Sequence, residues 1–368
     1  MTAHSPVSPE GSILTPNGWV TGKVEFADRT ISAVDGRMAA AGVKPKSPFI
    51  LPGFIDLHVH GGGGGDWQGG EEGVRTFVRY HTSCGTTAMA PTTAIGPVAV
   101  IEESLSAITS IAAGRLPGEA VVLGAHLEGP FINPLKPGAM AASFILDGDA
   151  ALARSWTEKF KIVIATVAPE VPGGLDVIKA LVERGCRVQI GHSIARPPVI
   201  EEAFHCGCSG FTHLFNAMSP LQGREPGMVG AIYDHNDVRS SIVCDGIHVD
   251  FASVRISKKI LQERLFFITD AVAEVSYGEY VHVFKGDRYT LPDGTLSGSS
   301  LTMLQAVRNG VEKVGIPLVE ALRMASLYPA TVMGLEKKWG SIRPGANADF
   351  VLLDEQLNLL QVIVEGEG

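Results

Sequence analysis

The stretch PFILPGFIDLHVHGGGGGDW, residues 48–67, runs from an apolar segment into two histidines and then into five glycines. Alternate residues of a strand point to the same face, so His58 and His60 are predicted to project side by side from a buried strand. Two imidazoles placed in this way can converge on one metal ion. Glycine lets the backbone turn sharply and approach a ligand closely, and we hypothesise that the run clears space for an ion and a substrate. A phosphate-binding loop is the alternative, but the run lacks the Walker lysine and the GxGxxG spacing.

Apolar runs that end in a polar residue capable of metal binding or catalysis recur along the chain. Eight occur between residues 49 and 272, and they read FILPGFIDLHVH, TTAMAPTT, VVLGAHLEGP, KIVIATVAPE, CRVQIGHS, GFTHLFNAM, SIVCDGIHV and LFFITDAV. Most are separated by segments that can hold a helix, such as residues 196–207, where Pro197 and Pro198 suit a helix start and Gly207 a helix end. Strands that are apolar throughout and alternate with helices indicate a parallel sheet covered on both faces. The sequence therefore predicts an α/β fold, a (β/α)8 TIM-like barrel, whose chemistry collects at the carboxyl ends of the strands.

The two ends of the chain have a different pattern. Residues 12–45 contain short strand-like segments with Asn-Gly and Asp-Gly turns, and residues 341–363 contain further segments with a Pro-Gly turn. We expect the two flanks to pair into one small β-sandwich, because neither flank can cover its apolar strands alone. The predicted domains are residues 1–48 with 343–368, which form the sandwich, and residues 49–342, which form the catalytic barrel.

Composition restricts the classes of function. The 368 residues are 45% hydrophobic and 19% charged, which predicts a sizeable core. The net charge of −9 argues against nucleic acid or an anionic membrane as a partner, so an anionic small substrate would need local cationic groups. The five cysteines form no disulfide framework, which is typical of a reducing compartment. The first residues, MTAHSPVSPEGS, lack the features of a signal peptide, and no apolar run reaches the ~20 residues of a membrane span, so we expect a soluble, cytoplasmic protein.

Further metal-ligand candidates stand at the ends of other runs. Glu128 ends the third run in HLEGP, His192 lies in IGHS of the fifth, and His213 lies in FTHLFNAM of the sixth. A carboxylate and imidazoles from separate strands can surround a divalent ion and leave one position for water. Each residue alone is commonly structural, but five at matching strand ends are difficult to explain independently, because burying unpaired polar groups is costly.

Asp270 ends the eighth run in FFITDAV. It can be the N-cap of a following helix, a position that aspartate favours. It can also be a general base that accepts a proton from an attacking water and later delivers it to a leaving amine. We prefer the second interpretation, because no other strand-end carboxylate is left for that role.

With these residues in the order HxH, Glu, His, His, Asp, the chain resembles the amidohydrolase superfamily. The motifs HLEGPFIN, GHS, THLFNAM, GREPGMVGA, DGIHVD, TDA and DGTLSGSSLTM are similar to those of the N-acetylglucosamine-6-phosphate deacetylase family. The likeness extends from about residue 50 to GSIRPGANADFVLLD near the end of the chain. It implies a barrel with a small β-sandwich, a homodimer, and hydrolysis of N-acetyl-D-glucosamine 6-phosphate to D-glucosamine 6-phosphate and acetate.

The resemblance also implies roles for individual residues. It makes Glu128, His192 and His213 the ligands of a catalytic divalent metal, His58 and His60 the completing ligands of a second ion found in some members, and Asp270 the acid/base. It places sugar and phosphate contacts at Asn216, Ala217 and His248, and it implies that Arg224 reaches the phosphate in the neighbouring subunit. An arginine fork and backbone N–H groups suit a phosphate dianion. One or two ions per subunit are expected; the ligand types suit zinc, our first expectation, as well as iron, cobalt and nickel.

One position departs from the family pattern. Where the family has a histidine that helps to polarise the substrate carbonyl, the stretch LKPGAM has Met140, which donates no proton. Three explanations stay open: the metal alone polarises the carbonyl, another donor such as His248 or Lys136 substitutes, or the preferred substrate differs. The alternative substrates are N-acetylgalactosamine 6-phosphate and an unphosphorylated N-acetyl sugar. A different class of function, a catalytically silent barrel with an assembly or regulatory role, predicts lost ligands or a lost base.

Overall fold

The computed structural model describes residues 8–40 and 44–368. Its strands are β1 Glu10–Thr15, β2 Gly18–Ala27, β3 Thr30–Met38, β4 Phe49–Pro52, β5 Phe54–Val59, β6 Gly61–Gly62, β7 Gly65–Asp66, β8 Thr86–Thr93, β9 Val121–Val122, β10 Ala125–Glu128, β11 Ile162–Val167, β12 Arg187–Ile190, β13 Gly210–Phe211, β14 Arg239–Val243, β15 Leu265–Ile268, β16 Val283–Phe284, β17 Arg288–Thr290, β18 Leu296–Ser299, β19 Phe350–Leu353 and β20 Leu359–Ile363. Its helices are α1 Gly70–Ser83, α2 Val98–Ala113, α3 Ala150–Lys159, α4 Gly174–Glu183, α5 Pro197–His205, α6 Gly227–Asp234, α7 Phe251–Leu261, α8 Met303–Asn309, α9 Leu318–Ala325 and α10 Leu327–Met333. Residues 1–7, which begin the stretch predicted to lack a signal peptide, lie outside the described residues. Residues 41–43, which belong to the predicted sandwich, also lie outside them.

Eight parallel strands form the barrel. They follow one another in the order β5, β8, β10, β11, β12, β13, β14, β15, which is the order of the eight predicted runs. The last strand meets the first, because the Asp270 amide donates to the His58 carbonyl and the His60 amide donates to the Ala271 carbonyl, both at 2.9 Å. The barrel prediction is confirmed.

The first predicted run divides into two strands. Phe49–Pro52 pairs with β1 and β19 in the flanking sheet, and only Phe54–Val59 belongs to the barrel. Gly53 lies between them, and a Cβ there would stand 2.0 Å from the Thr87 hydroxyl oxygen. An apolar run of this length is too uniform in sequence to reveal that the chain passes from one sheet to another.

The helix predicted at residues 196–207 is α5. It begins at Pro197 and ends at His205, and Gly207 follows with a φ of +99°. Ile200 and Ala203 are buried against the barrel core. The helix therefore begins and ends close to the predicted positions and covers the outside of the barrel with Ile200 and Ala203.

The flanks of the chain pair in one six-stranded sheet of order β20-β19-β4-β1-β2-β3. This sheet closes over a second apolar core, since the Ile31 amide donates to the Ala346 carbonyl at 2.8 Å and joins β3 to the segment before β19. The Asn-Gly turn follows β1 and the Pro-Gly turn precedes β19, as predicted. Ile50 and Phe350 of this sheet belong to the second core, whereas Leu51 and Val351 of the same strands belong to the core of the barrel. We propose the domain division on the basis of the second core, with residues 49–52 on the sandwich side.

The predicted Asp-Gly turn is wrong. Asp35 and Gly36 lie inside β3, where they pair with Lys23 and Gly22. A Cβ on Gly22 would stand 2.0 Å from the Asp35 carbonyl oxygen, so the paired glycines permit a close approach of two strands. The turn between β2 and β3 is instead made by Asp28 and Arg29, whose φ values are +46° and +67°.

In the described part of the chain, no helix combines the length and the apolar character needed to cross a membrane.

Candidate metal centre and active site

The predicted site residues stand at the carboxyl ends of barrel strands. His58 lies in β5 and His60 follows it, while Glu128 is the last residue of β10. His192, His213 and Asp270 each lie two residues beyond their strand and have φ values of +49°, +38° and +50°. Non-glycine residues rarely adopt this left-handed conformation, which costs about 1–3 kcal/mol and clusters at functional sites. The turn at each strand end brings the side chain into the barrel mouth.

Glu128 lies at the centre of the histidines. Its Oε1 is 3.1 Å from His213 Nε2, 3.2 Å from His192 Nε2 and 3.4 Å from His58 Nε2. Its Oε2 is 3.2 Å from His60 Nε2. Glu128 is 3% exposed. Its carboxylate belongs to two buried ligand groups, one with His58 and His60 and the other with His192 and His213.

The spacing of these donor atoms fits a metal ion. Ligand atoms at ~2.0–2.1 Å from a tetrahedral zinc ion are roughly 3.3 Å apart. The Nε2 atoms of His192 and His213 are 3.0 Å apart, as are those of His58 and His60, which matches this ligand spacing. The residues therefore fit a divalent metal site.

Two of the histidine rings are held in place by a hydrogen bond between Nδ1 and a backbone carbonyl oxygen. His60 Nδ1 lies 3.1 Å from the Thr92 carbonyl oxygen, and His192 Nδ1 lies 2.8 Å from the Lys136 carbonyl oxygen. A carbonyl can only accept, so each Nδ1 carries a proton, and each Nε2 is the ring nitrogen left to bind a cation at the centre. Donation of the second ring nitrogen to a carbonyl is the usual arrangement for a metal-binding histidine.

The two carboxylates stay ionised despite their burial. Burial alone would raise the pKa of Glu128, but His58 and His192 outweigh it and hold that pKa well below its usual range. Burial likewise opposes ionisation of Asp270, and the charges of His58 and His60 lower its pKa. The cluster therefore favours positive charge, which a divalent cation can supply.

Asp270 is fixed beside the metal-ligand groups. Its Oδ1 is 3.5 Å from both His58 Nε2 and His60 Nε2, and its carbonyl accepts a hydrogen bond from the Ser299 amide at 2.9 Å. No α-helix begins directly after it, so the alternative N-cap role is not supported. The carboxylate faces the cavity, where it can exchange protons with a bound molecule.

The cavity at the barrel mouth has a volume of about 230 Å³. It is lined by the predicted substrate-contacting residues Asn216, Ala217, His248 and Met140, together with Asp270 and the ligands other than His58. His248 is held by Asp245, whose Oδ2 accepts from its Nδ1 at 2.6 Å. Arg224, in contrast, is exposed on the loop before α6 and does not line the cavity of its own chain.

This arrangement agrees with the comparisons to known proteins. The model of the amidohydrolase family matches residues 49–367. The chain belongs to the amidohydrolase family.

Its relatives include deacetylases of amino sugar phosphates, so the resemblance predicted above is confirmed. The N-acetylglucosamine-6-phosphate deacetylase of Bos taurus is 34% identical over 97% of this chain and 92% of its own length. The N-acetylgalactosamine-6-phosphate deacetylase of Escherichia coli O157:H7 is 33% identical over 96% of this chain and 97% of its own length.

Solved structures give the same grouping. The N-acetylglucosamine-6-phosphate deacetylase from Pasteurella multocida superposes with a TM-score of 0.88 at 30% identity, and the match covers 97% of each chain. An aspartate-to-alanine variant of the Mycobacterium smegmatis enzyme, in complex with N-acetyl-D-glucosamine-6-phosphate, has the same TM-score at 29% identity and also covers 97% of each chain.

The glycine run of this amidohydrolase has another role than the hypothesis gave it. Residues 61–66 form the hairpin β6–β7, and none of the five glycines lines the cavity. A Cβ on Gly62 would stand 2.7 Å from His81 Nε2, and one on Gly65 would stand 2.4 Å from the Gly73 carbonyl oxygen. The glycines therefore allow the hairpin after His60 to pack directly on α1. The prediction that they clear space for an ion and substrate is wrong.

Several cavity residues were not found from the sequence, and three of them carry a large aromatic or imidazole ring. Trp67, Tyr280 and His282 line the cavity together with the predicted residues. Tyr280 and His282 occur in YVHVF, and their two-residue spacing repeats that of His58 and His60. The segment follows no barrel strand directly, so the rule that led to the other residues does not apply to it.

Proposed function

We propose that this amidohydrolase hydrolyses the N-acetyl amide of N-acetyl-D-glucosamine 6-phosphate, giving D-glucosamine 6-phosphate and acetate. The observation that carries the proposal is the convergence of Glu128, four histidines and Asp270 at the mouth of one barrel, in a chain 34% identical to deacetylases of this sugar phosphate. A silent barrel would have lost a ligand or the base, and all of them are present.

Glu128, His192 and His213 would hold the divalent cation of the reaction, and His58 and His60 would complete a second position that shares Glu128. We propose zinc as the metal, because imidazole and carboxylate ligands at this spacing suit it; iron, cobalt and nickel accept the same ligands. When bound, such a cation polarises a carbonyl oxygen and lowers the pKa of a water.

The chain's own residues move the protons. Asp270, ionised at neutral pH, accepts one proton as the water oxygen bonds to the amide carbon. It then donates that proton to the nitrogen as the carbon–nitrogen bond breaks, and the acetyl group leaves with the water oxygen as acetic acid. The acid gives up the second proton of the water to the product amine or to solvent and becomes acetate. The carboxylate ends in its initial state, so one water is consumed for each amide cleaved.

We propose that the sugar phosphate is held by Asn216, the Ala217 amide and His248, with Arg224 of a neighbouring subunit on the phosphate. The position of Arg224 outside its own cavity is compatible with this role in a homodimer.

Mixed dimers of two inactive variants test whether the site is shared between subunits. In a 1:1 mixture of the Asp270→Asn and Arg224→Ala variants, half the dimers are mixed, and each has one complete site, so about a quarter of wild-type activity should return. Activity no higher than the mean of the two variants would contradict the shared site. A cytoplasmic location also stays a prediction.

Acetate release from four sugars tests the substrate. N-acetylglucosamine and N-acetylgalactosamine, each with and without the 6-phosphate, are compared by kcat/KM. We expect the highest value for N-acetylglucosamine 6-phosphate. The second candidate is its galactose epimer, which the 33% identity to the Escherichia coli O157:H7 enzyme favours. Activity confined to an unphosphorylated sugar would refute the proposal.

A further inference from the structure

The cavity holds two histidines outside the metal-ligand groups, His248 and His282. In each of them Nδ1 is bonded to a protein side chain, Asp245 Oδ2 at 2.6 Å in the first and Ser297 Oγ at 3.0 Å in the second. The Nε2 of each ring has no hydrogen-bond partner among the residues that the structure describes. The family resemblance assigns a substrate contact to His248, but it assigns nothing to His282.

The surroundings of His282 fix its ring. The residue is 5% exposed, and the ring of Tyr280 stacks on it with an interplanar angle of 18° and centroids 6.2 Å apart. Ser297, which holds its Nδ1, also lines the cavity. A buried imidazole that is stacked on one face and bonded at one nitrogen is already oriented for a ligand at the other.

His282 links the two parts of the cavity wall that matter for the chemistry. Ser297 belongs to β18, and β18 is bonded to Asp270 through the Ser299 amide at 2.9 Å. Tyr280 donates its hydroxyl proton to the Ile95 carbonyl at 2.6 Å, and the Ile95 amide in turn donates to Met140 Sδ at 3.4 Å. His282 therefore lies on the wall that joins the acid/base to the methionine.

Met140 leaves that wall without a proton donor. Its sulfur already accepts the Ile95 amide, and a thioether has no proton to give. Lys136 does not substitute for it, because Lys136 does not line the cavity and reaches the site only through its carbonyl, which bonds to His192. His282 also lines the cavity, and its imidazole can supply the proton that a thioether cannot.

We propose that His282 is a substrate-contacting residue whose Nε2–H donates to the acetamide carbonyl oxygen as negative charge develops on it. The inference rests on the proposed amide hydrolysis. It requires that the Ser297 hydroxyl donates to Nδ1, so that the ring proton resides on Nε2 and points into the cavity. Burial, and next to it the charge of His60, lower the pKa of His282 to about 4, so the ring is neutral near pH 7 and carries a single proton.

The His282→Ala variant is the first test, with Val281→Ala as the matched control, since Val281 is the adjacent residue and is 56% exposed. We expect kcat/KM to fall roughly 10²–10³-fold in His282→Ala, the usual effect of removing one donor to a developing oxyanion. Metal content should equal that of the wild type in both variants, and Val281→Ala should keep its activity within threefold.

A binding measurement separates contact with the reacting group from packing. The ligands are glucosamine 6-phosphate and its phosphonamidate derivative, in which a tetrahedral P–O⁻ replaces the acetamide carbonyl. His282→Ala should weaken the phosphonamidate at least 30-fold and glucosamine 6-phosphate less than threefold. Equal weakening of both ligands would assign His282 a packing role and overturn the proposal.

Failure of this inference is distinct from failure of the proposed function. A wild-type protein that releases no acetate from any of the four sugars refutes the function. A wild-type protein that is active, with His282→Ala within threefold of it, refutes only the role of His282. If His282→Ala does not fold, Ser297→Ala tests the same contact, because it leaves the imidazole and removes the group that fixes its proton. We expect a 3–30-fold lower kcat/KM at an unchanged melting temperature; an unaltered kcat/KM would refute the role.

Discussion

Replacing Glu128 by glutamine should abolish the metal dependence of both stability and activity. The four Nε2 atoms of the cluster lie 3.1–3.4 Å from one or other oxygen of this carboxylate. Glutamine keeps the size of the side chain, but it removes the negative charge and turns one oxygen into an NH2 group. That group cannot bind a cation, and the carbonyl oxygen that remains cannot serve both ligand groups.

The expected size follows from linkage. A metal present at a free concentration 100 times its dissociation constant stabilises the folded state by about 2.7 kcal/mol. An unfolding entropy of about 2.1 cal/mol/K per residue gives roughly 0.77 kcal/mol/K for 368 residues. The ratio predicts that the metal raises the wild-type melting temperature by about 3–4 °C relative to a chelator. In Glu128→Gln the same difference should be below about 1 °C.

The assay is a pair of melting curves for each variant, with metal and with chelator, together with elemental analysis of the dialysed protein. Glu102→Gln is the control, because Glu102 accepts a hydrogen bond from Trp156 Nε1 at 2.8 Å, is not among the metal-ligand groups, and undergoes the same chemical change. It should retain the wild-type difference. If Glu128→Gln binds as much metal as the wild type and melts with the same 3–4 °C difference, Glu128 is not the shared ligand and the site has been misassigned.

Three further predictions concern the acid/base, a buried carboxyl at the domain junction, and the glycine hairpin. Asp270→Asn should lower kcat about 10²–10⁴-fold, because the amide cannot accept a proton, while the metal content measured by elemental analysis stays constant. Burial raises the pKa of Asp349 to about 7, so its carboxyl binds a proton more tightly in the folded than in the unfolded chain. Wild-type stability relative to Asp349→Asn should therefore fall as the pH rises from about 4 to 7, by up to about 4 kcal/mol, as measured by urea unfolding across that range. Gly62→Ala should lower the free energy of unfolding by about 1–3 kcal/mol, because its Cβ would meet His81 and Tyr80 on α1 at 2.7 Å.

Each of these predictions has a defined contrary result. Turnover by Asp270→Asn within tenfold of the wild type would remove the acid/base assignment. A stability difference between Asp349→Asn and wild type that does not vary with pH would mean that this carboxyl has an ordinary pKa. For the hairpin, Gly64→Ala is the comparison: no heavy atom lies within 4 Å of its Cβ, although its φ of +85° costs about 1 kcal/mol. A larger loss in Gly64→Ala than in Gly62→Ala would contradict the packing role.

The barrel could be predicted because its signal is local and repeated. The buried strands are rich in apolar residues, and most of them end in or are closely followed by a polar residue, such as Glu128 or Asp270, whose burial requires an explanation. Because parallel strands of a closed barrel end at the same rim, the order of the runs was enough to bring these residues together in the mouth. The same rule failed at Phe49–Pro52, since a strand buried in either sheet has the same composition.

By itself, the sequence determined the fold, the candidate ligand types and the order in which the strands would supply them, because these follow from strand periodicity and from the chemistry of each side chain. Only the tertiary structure decided the sharing of one carboxylate by two pairs of imidazoles, the contact of the glycines with α1, and the entry of His282 into the cavity. Each of these depends on how segments distant in the chain are positioned in space to within an ångström or so. Local residue patterns fix directions along a strand, whereas such distances are set by packing across the whole barrel.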